Sequence, residues 1–99
     1  MRAIFAHAGP ATRYGELMLR NQNFPVDKIY VPTARRKTLE PEKVKAIVED
    51  WLVNGQKMPI QVREDGDRYV LVEGLHRLEA AKELGEKTII GLLVQARRH

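Results

Sequence analysis

Regular alternation of apolar and polar positions starts at Val26, and the first 25 residues show no clear period. Val26, Ile29 and Val31 predict a short strand that stops at Pro32. A polar, basic loop, Thr33-Ala34-Arg35-Arg36-Lys37-Thr38, follows. Pro41 then suits the first position of a helix, where its missing N–H is no loss. Val44, Ile47, Val48, Trp51 and Leu52 recur at i, i+3, i+4, i+7 and i+8, one apolar helical face that closes at Asn54-Gly55. Pro59 to Glu64 alternates in strand fashion, and Tyr69 to Val72 is a second β-rich run. Asp65-Gly66-Asp67 between them reads as a hairpin turn. Gly74 interrupts the chain before a second helix with Leu75, Leu78, Ala81 and Leu84 on one face and Gly85 at its end. Thr88 to Val94 predicts a last, buried strand. The order is β-α-β-β-α-β, which predicts an α+β fold: a small mixed sheet with two main helices.

In the first part of the chain, Thr12 is a candidate cap for a short helix running toward Arg20, ended by Asn21-Gln22-Asn23-Phe24-Pro25. The predicted organisation is therefore an arm or accessory element over residues 1–25, a domain over 26–95 and a basic tail over 96–99. The arm is a candidate docking piece for a second copy or another protein. At 99 residues and 11.4 kDa the chain has the size of one domain.

Composition narrows the chemistry. The chain has no Cys and no Ser, so disulfides, thiolate metal sites and cysteine or serine nucleophiles are excluded. His7, His76 and His99 have no metal-ligand spacing. No apolar run approaches a membrane span, and the first eight residues do not read as a secretory signal, so a cytoplasmic protein without membrane contact is expected. The net charge of +4 is uneven: residues 1–39 carry 7 basic and 2 acidic side chains, and residues 40–99 carry 10 and 11.

The strongest candidate site is the junction Val72-Glu73-Gly74-Leu75-His76-Arg77, where a strand runs through a glycine into a helix. The first N–H groups of a helix lack intrahelical partners and carry the positive end of its dipole. His76 and Arg77 in that first turn oppose the dipole, unless an anion is held between the side chains and the free amides. The plainer alternative leaves His76 and Arg77 exposed at the surface, with Arg77 paired to Glu73 or a nearby acid. Arg35-Arg36-Lys37 is a second candidate, either a solvated loop or three cations gathered for a phosphate-rich partner.

The junction also resembles a known superfamily. Glu73-Gly74-Leu75-His76-Arg77-Leu78-Glu79-Ala80-Ala81-Lys82-Glu83-Leu84-Gly85 is similar to the second signature helix of the ParB/sulfiredoxin superfamily. Leu39-Glu40-Pro41-Glu42-Lys43-Val44 resembles the start of the sulfiredoxin first helix, and Leu93-Val94-Gln95 its last strand. The resemblance implies nucleotide binding, with Gly74, Leu75, His76, Arg77 and Lys43 at the phosphates. Two further sulfiredoxin contacts to ATP, a Ser and a Thr, correspond to Ala46 and Asp50, which leaves the nucleotide open among ATP, ADP and CTP. Leu75 stands where sulfiredoxin has its catalytic Cys, so sulfinic acid repair is excluded. Free-serine kinases of the same superfamily have a similar junction, in which Glu73 takes the place of an Asp near the phosphates or a Mg²⁺. The basic loop Arg35, Arg36 and Lys37 would border the pocket.

Three functions compete on this reading. The first is a nucleotide-binding domain, with phosphohydrolase or phosphotransferase activity as its candidate chemistry. The second is a DNA-associated, ParB-like protein of partition or nuclease type, which at this length would bind DNA non-specifically. The third is an adaptor whose residues 1–25 dock a partner.

Overall fold

A computed structural model describes residues 20–94 of the chain. In chain order it contains β1 (Asn21–Pro25), a 3-10 turn (Val26–Lys28), β2 (Ile29–Tyr30), α1 (Thr33–Arg36), α2 (Pro41–Asn54), β3 (Ile60–Asp65), β4 (Arg68–Glu73), α3 (Leu75–Glu83) and β5 (Thr88–Leu93). The five strands form one mixed sheet in the order β1-β5-β3-β4-β2. β1 runs antiparallel to β5 and β3 antiparallel to β4, whereas β2 is parallel to β4 and β3 parallel to β5. This is the α+β fold expected from the periodicity, with the short α1 added in the basic loop.

Three local readings need correction. Asn21–Pro25 is a strand, not the stop of a helix, and it places Phe24, 3% exposed, in the core. Its polar, exposed residues Asn21, Gln22 and Asn23 have no strand signature of their own, and pairing with β5 makes them a strand. Val26–Lys28 is a 3-10 turn, so β2 shrinks to Ile29–Tyr30. Leu52 on the predicted apolar face of α2 is 72% exposed; only Val44 of that helix is buried. The predicted helix from Thr12, together with His7 and the tail Arg97-Arg98-His99, lies outside the described residues.

The core joins Phe24, Val26, Ile29, Val31, Ile60, Val62, Leu71, Leu75, Leu78, Ala81 and Ile89, with Trp51, Tyr69 and Leu93 packed against it. Phe24 meets Tyr69 edge to face at 4.9 Å between ring centroids. Ile60, fully buried at the start of β3, lies between two glycines. A Cβ on Gly74 would fall 2.6 Å from its Cγ2, and one on Gly91 2.9 Å from its Cγ1. At the hairpin Gly66 takes φ +63° in a two-residue Gly-Asp turn between Asp65 and Arg68, which glycine does without strain.

The entry to β3 uses a side chain as backbone. Gln56 accepts from the Ile90 N–H at 2.9 Å and donates to the Ile90 carbonyl at 2.7 Å. Its carboxamide thereby continues the β3–β5 ladder beyond Ile60, next to Pro59, which has no N–H to offer. The same Nε2 also donates to the Met58 carbonyl at 2.9 Å, which folds the loop back on itself.

Candidate phosphate-binding groove

β4 delivers the chain to the site through an irregularity. Gln61 pairs with Glu73, and Val62 pairs with Leu71, so Val72 is an extra residue in β4. Such a bulge shifts side-chain directions by one position and is a common device beside functional sites. The chain then turns at Gly74, with φ 108° and ψ 32°, straight into α3. Gly74 is required here twice over, by its left-handed backbone and by Ile60 packed against it. Close packing by Ile60, rather than approach of a ligand, already explains a glycine at this position.

Leu78 N–H is the first to return a bond within the helix, to the Gly74 carbonyl at 2.9 Å. The N–H groups of Leu75, His76 and Arg77 precede it and have no intrahelical acceptor. The Leu75 side chain is 5% exposed and belongs to the core, so its contribution to a ligand is limited to its N–H. Leucine at this position completes the apolar face with Leu78 and Ala81, and no thiol exists in the chain to replace it.

His76 ties two helix starts together. Its Nε2 accepts from the N–H of Glu40, the residue that caps α2, at 2.9 Å. That bond requires an unprotonated Nε2 and leaves Nδ1 as the ring's donor. His76 thereby gives the Glu40 N–H the acceptor that a Glu or Gln at the third helical position would supply, a role the residue there, Lys43, cannot fill. In this arrangement His76 is an acceptor at the helix start, and the dipole conflict expected for a cation does not arise from it.

The junction opens on a groove of about 790 Å³ lined by Arg35, Thr38, Lys43, Gln61, Glu73, Gly74, His76 and Arg77 among its polar and backbone groups. Ala46, Ile47, Met58, Pro59 and Leu75 supply its apolar wall. Residues from α1, α2, β3, β4 and α3 thus meet at one place. Two of the three Arg and Lys side chains in the lining make ion pairs. Arg35 lies 3.5 Å from Glu73, and Lys43 lies 3.4 Å from Glu40. Arg77, half-buried at the start of α3, makes no ion pair and no side-chain hydrogen bond among the described residues. Arg77 does not pair with Glu73, which faces Arg35 instead; the nearby acid within reach of its charge is Asp50, though without an ion pair between them.

Of the three cations in the basic loop, only Arg35 lines the groove. Arg36 donates from Nε to the Val31 carbonyl at 3.2 Å, and Lys37 lies outside the lining. Asp50 lies beside the groove rather than in it, with Lys57 and Arg77 around a second cavity. Its carboxyl is held below the usual value, first by a hydrogen bond from Asn54, then by Lys57 and the charge of Arg77, against the opposing effect of desolvation. Sequence reading missed Thr38, Met58, Pro59 and Gln61 as lining residues, because they reach the groove through strand pairing and loop closure that leave no local signature. No group of three or more His, Cys, Asp or Glu side chains gathers as a metal site among the described residues. No helix among them is long and apolar enough to cross a membrane.

The fold and groove can be compared with known proteins. Residues 12–98 match the ParB N-terminal domain family, and the chain belongs to that family. It is 35% identical over 65 residues to the chloroplastic/mitochondrial sulfiredoxin of Arabidopsis thaliana, which covers 66% of this chain and 52% of that protein. The chain thus spans about half the length of this curated relative. Among solved structures, sulfiredoxin from Arabidopsis thaliana superposes with a TM-score of 0.69 at 30% identity, covering 77% of this chain and 85% of that one. The C-terminally truncated chromosome-partitioning protein ParB of Caulobacter crescentus, complexed with CTP-gamma-S, superposes with a TM-score of 0.67 at 25% identity, covering 78% and 45%. The resemblance read from the signature helix is therefore a true membership, and the absence of cysteine separates this chain from sulfiredoxin chemistry.

Proposed function

We propose that the groove binds the phosphates of a nucleoside di- or triphosphate, ATP, ADP or CTP, at the start of α3. The observation that carries this reading is Arg77, a half-buried residue whose guanidinium makes no ion pair and no side-chain hydrogen bond among the described residues, beside three helix N–H groups without intrahelical acceptors. Leaving such a charge half-desolvated is unfavourable unless an anion completes it. The backbone N–H groups of Leu75, His76 and Arg77 and the guanidinium of Arg77 hold the phosphates. Arg35 and Lys43 move from Glu73 and Glu40 onto them, and His76 donates from Nδ1. The relative solved with CTP-gamma-S supports a nucleotide as the ligand. A Mg²⁺ would arrive on the phosphates, with Glu73, the one carboxylate among the lining residues, as its candidate protein partner. Glu73 is likewise the candidate base for any phosphohydrolase or phosphotransferase step. A DNA-associated function has less support, because Arg35 is drawn into the groove and Arg36 is spent on Val31.

Titration calorimetry with ATP, ADP, CTP and GTP, with and without Mg²⁺, tests the reading on the parent and Arg77→Ala. Loss of a charge-assisted contact predicts binding weaker by about 1.5–3 kcal/mol. Equal affinities in parent and variant would overturn it.

A further inference from the structure

The two edges of the sheet are finished differently. β2, at one edge, has only two residues, with Lys28 before it and Pro32 just after. Short strands, lysine and proline keep a sheet edge from recruiting another strand. β1, at the other edge, runs for five residues, Asn21–Pro25, and carries no charge. Among the described residues no strand lies on its outer side.

The register with β5 says which groups β1 turns outward. The Val26 N–H donates to the Lys87 carbonyl at 2.9 Å, one residue beyond the Pro25–Thr88 pair. Opposed residues in an antiparallel ladder alternate between hydrogen-bonded and non-hydrogen-bonded pairs. Phe24 with Ile89 and Gln22 with Gly91 are therefore the bonded pairs. Asn21, Asn23 and Pro25 direct their backbone groups away from β5. The proline thus stands where its missing N–H costs the β1–β5 ladder nothing. The N–H and carbonyl of Asn21 and of Asn23 are left facing outward.

That edge is complementary to itself. Asn21-Gln22-Asn23 reads the same in both directions, and all three residues are exposed. Two copies laid antiparallel about Gln22 set Asn21 against Asn23 of the second copy, and Asn23 against its Asn21. Both are bonded pairs, so every outward N–H and carbonyl of these residues finds a partner. Centring on Asn23 would set Asn21 against a proline, which leaves the Asn21 carbonyl without a donor. Centring on Asn21 would carry the pairing past Arg20, beyond the strand. Side chains directly opposite meet on one face, so carboxamide faces carboxamide, each both a donor and an acceptor.

We propose that β1 pairs with β1 of a second copy across a twofold axis at Gln22, which joins the two sheets into one. A contact of five residues a side falls short of the roughly 1,200 Å² that a stable complex buries, so the dimer is weak and reversible.

Sedimentation of the full chain at concentrations up to about 1 mM should show a monomer–dimer equilibrium. Gln22→Lys and Gln22→Glu each place like charges opposite one another and should weaken it roughly fivefold. An equimolar mixture of the two variants should restore it, since opposite charges then meet. The chain has no Cys, so Gln22→Cys is a single-thiol reporter. Mild oxidation should link it into a dimer, because a non-hydrogen-bonded pair brings Cα atoms to about 4.5 Å, within disulfide reach. Asn21→Cys, out of register with its own copy, should not link. A parent that stays monomeric at about 1 mM overturns the proposal, since β1 is then covered by residues 1–19 or by water. Dimers that Gln22→Lys and Gln22→Glu leave intact, or that their mixture fails to restore, place the contact elsewhere and overturn it too. So does Asn21→Cys linking as readily as Gln22→Cys. None of these outcomes bears on the phosphate reading, which uses the other side of the sheet order.

Discussion

Gly74 meets two separate demands at one position. Its φ of 108° belongs to a region that side chains rarely enter, and Ile60 fills the space a Cβ would need, 2.6 Å from Cγ2. Gly74→Ala combines backbone strain with overpacking, and we expect a loss of about 2–4 kcal/mol in stability. Chemical denaturation measures this, and a loss below about 1 kcal/mol would show that the junction relaxes freely. Gly66, also at positive φ, has nothing within 4 Å of the point where a Cβ would stand, so strain alone operates there. Arg77 and Asp50 illustrate the opposite case, in which the residue type permits many roles. Each acquires meaning only from what stands beside it: the lack of an ion pair for Arg77, and the Asn54 and Lys57 contacts to one carboxylate oxygen for Asp50.

At the scale of elements, the site exists because two helices begin at the same place. α2 starts at Pro41 and α3 at Leu75, and His76 links them by accepting the Glu40 N–H. The bulge at Val72 and the glycine after it set the angle at which β4 hands over to α3. The far wall of the groove depends on the loop before β3, and that loop depends on Gln56. Gln56→Ala would leave the N–H and carbonyl of Ile90 without their partner, and we expect about 1–3 kcal/mol of destabilisation in urea unfolding. Gln56→Glu keeps an acceptor for the N–H but turns a second acceptor toward the carbonyl, so it should be no better tolerated than Gln56→Ala. A neutral result for both would mean that water replaces the carboxamide at the sheet.

Across the whole molecule, stability is unevenly spread. The core is built by the sheet and α3; α2 packs against it through Trp51 and buries Val44, while Leu52 and Val53 stand 72% and 81% exposed. Elements with little buried apolar surface open first. Amide hydrogen exchange should therefore be faster in α2 than in β3, β4 or α3, and equal protection in α2 and β3 would contradict this expectation. Ligand binding in the groove should slow exchange at the start of α2, since Lys43 and the Glu40–His76 contact lie there.

Residue order and spacing alone determined the β-α-β-β-α-β frame, the ends of α2 at Pro41 and Asn54-Gly55, the Asp65-Gly66-Asp67 hairpin and the strand-glycine-helix junction. These features are local: period, capping and turn chemistry act over a few neighbouring residues. The exclusion of thiol chemistry needed even less, because it follows from the residue count. Tertiary structure decided the rest. Asn21–Pro25 became a strand only against β5, and the Gln56 bond to Ile90 spans 34 positions. Arg35 found Glu73 across 38 positions, which left Arg77 unpaired, and no pattern within either segment could have said so. Partners distant in the chain are chosen by packing of the whole domain, and the charge balance of a site is set by those partners.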